Sequence, residues 1–140
     1  MLKSKQIFSD KYEWTNHARL KMRRYGLSEQ RVKRVIRAPF RYEEGVLEKA
    51  IAVMQPNKII KTEKGKPVEW KEEIWVMYKL VQKRANSKSH PPAGGPNYKL
   101  KNFSLSDKKI RVITAWRYPG ISPKRDPIPV EIIREVQNLL

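Results

Sequence analysis

Two arginines and a lysine occupy positions from which extended chain would aim them at a phosphate. In the stretch Lys109 to Arg117, Ile110, Val112, Thr114 and Trp116 alternate with Arg111, Ile113, Ala115 and Arg117. Period-two geometry therefore places Arg111 and Arg117 on one face of a strand. Lys79 lies in a second such stretch, Glu73 to Gln82, and Tyr118 follows the last arginine. Metal-independent RNA cleavage needs a group to take the 2′-hydroxyl proton, positive charge for the pentacovalent phosphate, and a proton for the leaving oxygen. Arginine holds its charge at neutral pH, so Arg111 and Arg117 suit the phosphate clamp. Lys79 or Tyr118 would exchange a proton only where those charges lower its pKa. His17 ordinarily titrates near neutrality and is the candidate general acid or base, although a histidine at a first helical turn beside an apolar stripe is more often a packing or capping residue. His90 sits in a Ser/Pro/Gly-rich stretch that positions a catalyst badly. The strand charges read just as simply as solubilising groups.

Charge balance supports a polyanionic partner. Lysine and arginine number 31 against 14 acidic residues, a formal net charge of +17, well above the magnitude of about 2 to 8 that solubility asks of a small domain. Such an excess steers phosphates and releases their counterions on contact. A polybasic surface also attracts anionic lipid headgroups, but RNA is the favoured partner. Arg19, Arg23, Arg24, Arg34, Lys83, Arg84, Lys124 and Arg125 are the candidate nucleic-acid contacts. Of the tryptophans, Trp14, Trp75 and Trp116 fall at core positions. Trp70, within the charged run Glu69 to Glu73, is placed to stack on an unpaired base.

The absence of cysteine removes disulfides and thiolate metal sites, and two histidines are too few for a His-rich one. No metal and no cofactor is expected. Residues Met1 to Asp10 lack an apolar stretch of signal-peptide length, and no segment reaches the roughly 18 apolar residues of a membrane span. The expectation is a cytoplasmic protein without a membrane partner.

These residues need elements to hold them. Thr15 or Asn16 can cap a helix ending at Tyr25, with Gly26 as its left-handed terminator and Trp14, Ala18, Met22 and Tyr25 on its inner stripe. Ser28 can cap a second helix running to Arg37 or Ala38, with Val32, Val35 and Ile36 inward and Pro39 closing it. Candidate strands follow at Arg41 to Val46, with Gly45 near the turn, and at Lys49 to Gln55, ended by Pro56-Asn57. Ile59 to Pro67 reads as turn. Glu73 to Gln82 is apolar on both faces and so central. After the strand Lys109 to Arg117, Pro129 starts a closing helix with Val130, Ile133, Val136 and Leu140 inward. The whole reads as one α+β domain, residues 1–140, with a flexible loop at 84–98. It has an N-terminal helix hairpin, a roughly four-stranded antiparallel sheet and a C-terminal helix, the helices over one sheet face.

In this order the elements resemble the RelE-like toxins of bacterial toxin–antitoxin systems, and within them BrnT and its uncharacterised relatives. The resemblance is carried by Tyr12-Glu13-Trp14 and by the helix from His17-Ala18 through Met22, Arg23 and Arg24 to Gly26-Leu27-Ser28. It continues through Val32, Val35, Ile36 and Pro39 to the strands Glu73 to Tyr78 and Ile110 to Arg117. It implies RNA binding, endoribonuclease activity by basic and tyrosine side chains on the sheet, and restraint by an antitoxin-like partner protein. A binding or interaction module without catalysis on the same fold is the alternative. The chain departs from the pattern after its last strand, in Tyr118 to Asp126, and in the 86–97 loop, which reads as an insertion.

Overall fold

The helix hairpin forms where its caps permit. Thr15 Oγ1 accepts the Ala18 N–H at 3.0 Å, and Gly26 ends the helix with φ +65°. Ser28 Oγ accepts the Arg31 N–H at 3.1 Å to open the next. The computed structural model describes residues 11–44, 47–60, 63–82 and 108–139. In chain order the elements are β1 (Tyr12–Trp14), α1 (Asn16–Tyr25), α2 (Glu29–Arg37), β2 (Arg41–Glu44), β3 (Ile51–Ile60), β4 (Glu69–Gln82), β5 (Lys108–Pro119) and α3 (Val130–Gln137). Lys83, Arg84, the 84–98 loop with His90, the Gly45-Val46 turn and Leu140 lie outside the described residues.

The α+β class and the hairpin agree with the sequence expectation; the sheet differs. It has five strands in the order β1-β5-β4-β3-β2 and is mixed, because β1 runs parallel to β5. Three residues are too few to show a period, so β1 is invisible in the sequence. β3 continues through Pro56 and Asn57 to Ile60, with Ile59 opposite Trp70, where a turn was expected. β2 covers β3 only as far as Met54, so Pro56 lies beyond the paired stretch of that edge, where a missing N–H costs least.

The helices also divide between the two faces instead of sharing one. Ala18, Met22, Val32, Val35 and Ile36 of the hairpin pack on Val53, Ile74, Val76, Val112 and Ala115. Ile132 and Val136 of α3, with Ile128, pack on Met54, Trp75, Met77, Ile113 and Trp116. The inner stripe of α3 is therefore turned from the expected one, and Val130 is exposed. Two-sided burial explains the continuous apolar run in β4. Trp75 and Trp116 are cross-strand partners with stacked rings, 5.7 Å apart and 3° from parallel. The Lys21 Nζ to Glu135 Oε1 ion pair, 2.7 Å long, ties α1 to α3 past the edge of the sheet.

Candidate functional site

A β-bulge builds the site. Along β4 and β5, Met77 faces Thr114 and Tyr78 faces Val112, leaving Ile113 without an opposite residue. The extra residue resets the alternation. Ile110 and Val112 face the hairpin, Ile113 and Trp116 face α3, and Ala115 faces the hairpin again. Thr15 sits at this irregularity, its hydroxyl 3.0 Å from the Val112 carbonyl and 3.2 Å from that of Ile113. One threonine thus caps α1 and docks the helix start on the bulge, which sets His17 beside the sheet.

The result is a cavity of about 450 Å³ lined by Glu13, Thr15, Asn16, His17, Lys79, Arg111, Ile113 and Leu139. Three of the candidate catalytic residues, His17, Lys79 and Arg111, meet here. Lys79 and Arg111 are cross-strand partners, a like-charge pairing that is unfavourable in isolation. Glu13, opposite Arg111 on β1, offsets it through a 2.8 Å contact to Arg111 Nε. Among the described residues that is the sole partner of the Arg111 guanidinium, and Lys79 has none. The row therefore presents net positive charge. His17 Nε2 is buried without a hydrogen-bond partner, which leaves Nδ1 as the ring nitrogen open to a ligand. Burial lowers the His17 pKa, with Lys21 adding to the fall and Glu135 opposing it, so the ring is neutral at pH 7.

The other expected site residues lie elsewhere. Arg117 and Arg111 do not share a face: Arg117 is on the hairpin side, where Nε donates to the Tyr25 carbonyl at 2.7 Å and Nη1 pairs with Glu72 Oε2 at 3.0 Å. Tyr118 is opposite Glu73 and packs against the α3-side core. Arg19 pairs with Glu29 and lies 6.0 Å over the Trp14 ring, while Arg23, Arg24 and Arg34 are exposed on the hairpin. Lys124 and Arg125, also exposed, belong to the loop after β5, beyond its far end from the cavity. The candidate nucleic-acid contacts are thus spread over separate surfaces.

Two acids that matter carried little sequence signal. Glu13 depends on a strand too short to recognise. Glu73, in a run of charges, is fully buried. Its carboxylate accepts from Trp75 Nε1 at 2.8 Å, Trp70 Nε1 at 2.9 Å and the Ser122 N–H at 3.0 Å. Among the described residues no group of three or more His, Asp or Glu side chains is placed to hold a metal ion. No described helix is long and apolar enough to cross a membrane.

No family model, curated protein or solved structure matches this chain.

Proposed function

We propose that this protein binds RNA and cleaves it as a metal-independent endoribonuclease, with the scissile phosphodiester in the cavity at the β5 bulge. The observation that carries this reading is the convergence of His17, Lys79 and Arg111 on one cavity in a chain of net charge +17. Arg111 and Lys79 supply positive charge to the nonbridging phosphate oxygens, and they lie on paired strands that are already ordered, so little reorganisation accompanies binding. The neutral imidazole of His17, through Nδ1, takes the proton of the attacking 2′-hydroxyl as that oxygen bonds to phosphorus; the P–O5′ bond breaks to leave a 2′,3′-cyclic phosphate, and the departing 5′-oxygen takes its proton from water or from the imidazolium so formed. The RelE/BrnT resemblance points the same way and adds an antitoxin-like protein as the natural restraint. The element order, with a helix hairpin before the meander and a helix after it, is compatible with that resemblance.

The test is cleavage of labelled single-stranded RNA in EDTA. Cleavage by the native protein should fall about 100-fold or more in Arg111→Ala, with native circular dichroism retained. Absence of cleavage at high protein concentration overturns the catalytic half of the reading. The binding half predicts affinity falling with salt at a log–log slope of about 0.7 per phosphate contact on single strands; a flat dependence overturns it.

One observation favours a second reading, a binding module without catalysis. Arg117 and Tyr118 are engaged elsewhere, so among the described residues His17 is the only lining side chain that ordinarily titrates near neutrality. Tight, salt-sensitive RNA binding without cleavage would identify that case.

A further inference from the structure

A second cavity, of about 340 Å³, lies beyond the far end of β5 and is lined by Phe40, Arg41, Met54, Trp70, Ile121 and Lys124, with Glu73 and Ser122 behind them. We propose that it is a nucleobase pocket, in which one unpaired base of a bound RNA strand stacks against Phe40 and Trp70 while Lys124 meets the backbone phosphate. The inference rests on the RNA-binding reading and names a subsite for it away from the bulge cavity.

The pocket is apolar, aromatic and held in place. Phe40 and Trp70 meet edge to face, with centroids 5.1 Å apart and planes at 74°, so one ring offers a wall and the other an edge. Phe40 is 62 % exposed and Ile121 54 % exposed, so both present apolar surface to whatever occupies the cavity. Trp70 is anchored by the hydrogen bond from its Nε1 to the buried Glu73.

The loop that carries Ile121 and Lys124 is equally constrained. Gly120, at φ +81°, donates its N–H to the Lys71 carbonyl at 2.7 Å, and the Ser122 N–H is held by Glu73. The Arg41 guanidinium, 5.8 Å over the Trp75 ring, donates to the Pro123 carbonyl at 2.8 Å and to the Lys124 carbonyl at 2.6 Å. Preorganisation of this kind removes the ordering cost that would otherwise weaken binding.

Charge selects the occupant. Among the described lining residues the exposed cation is Lys124, and the one lining carboxylate, Glu73, has its oxygens turned to the two tryptophans and Ser122. A flat apolar group attached to an anion fits this combination, and stacking on aromatics tolerates any base.

The test compares fluorescence anisotropy of a labelled adenosine octanucleotide and an abasic octamer of equal charge. The native protein should bind the adenosine strand at least 10-fold more tightly, a difference within the range of base–aromatic stacking, roughly 5- to 150-fold per base. Phe40→Ala and Ile121→Ala, with native circular dichroism, should each lose most of that preference and keep abasic binding. Arg111→Ala, at the other cavity, should weaken both strands alike. Equal native affinity for the two strands overturns the base pocket and leaves RNA binding standing; affinity for neither overturns both. Occupation by an apolar peptide, read as tryptophan quenching lost in Phe40→Ala while the adenosine strand causes none, also overturns the nucleobase assignment.

Discussion

Arg111 and Arg117 leave the same strand on opposite faces of the sheet, because unpaired Ile113 stands between them. Arg111 is joined to Glu13 at the cavity, while Arg117 crosses to the hairpin side and ties the end of α1 to Glu72. Chemically identical residues therefore have different tasks. Arg117→Ala should lower stability by about 2 kcal/mol, since it strips the Tyr25 carbonyl and a partly buried carboxylate of a charged donor. Arg111→Ala should change stability by less than about 1 kcal/mol, in keeping with its half-exposed ion pair. Urea denaturation of the two proteins checks this, and equal losses would contradict the division of roles.

Thr15 joins two structural tasks in one hydroxyl. Thr15→Ala should cost about 1 to 2 kcal/mol as a lost helix cap. It should also loosen His17 relative to Arg111, so RNA affinity should fall, although Thr15 carries no charge. Thr15→Ser retains the hydroxyl and should recover most of both. Thermal melts and anisotropy on the two variants measure the effects separately.

Glu73 is a buried acid whose partners are all neutral N–H donors. Glu73→Leu should destabilise by about 3 kcal/mol or more, leaving donors from Trp70, Trp75 and Ser122 unsatisfied. Release of Trp70 should follow, visible as a red shift of tryptophan emission under native conditions. Unchanged emission together with native stability would contradict the role given to Glu73.

The pH dependence of stability should carry a His17 component. Burial holds its folded-state pKa below the ordinary 6.5, so the unfolded chain takes up the proton first as pH falls. The stabilisation is complete above about pH 6.5 and is lost as the pH drops through the folded value. In His17→Gln this part of the profile should flatten. Urea midpoints between pH 5 and 7.5, native against variant, provide the comparison.

Local signals were legible in the sequence wherever a residue acts through its own backbone neighbourhood. The caps Thr15 and Ser28, the terminator Gly26, the inward Val32, Val35 and Ile36, and the two-sided apolar run of β4 all follow from side-chain chemistry at short range. His17, Lys79 and Arg111 were recognisable as residue types suited to phosphate chemistry. Their meeting was not, because it depends on a three-residue strand and on a bulge with no composition of its own.

Alternation along Lys109 to Arg117 puts both arginines on one face only while the pairing with β4 runs without interruption, and pairing is a property of two strands. The burial of Glu73 likewise needs the indoles of Trp70 and Trp75 and the backbone of Ser122 brought together from separate segments. Charge, helix ends and the α+β class were thus determined by the chain alone. Which cations share a cavity, and which face each helix covers, were decided by strand register in the folded sheet, where one extra residue reverses every side chain that follows.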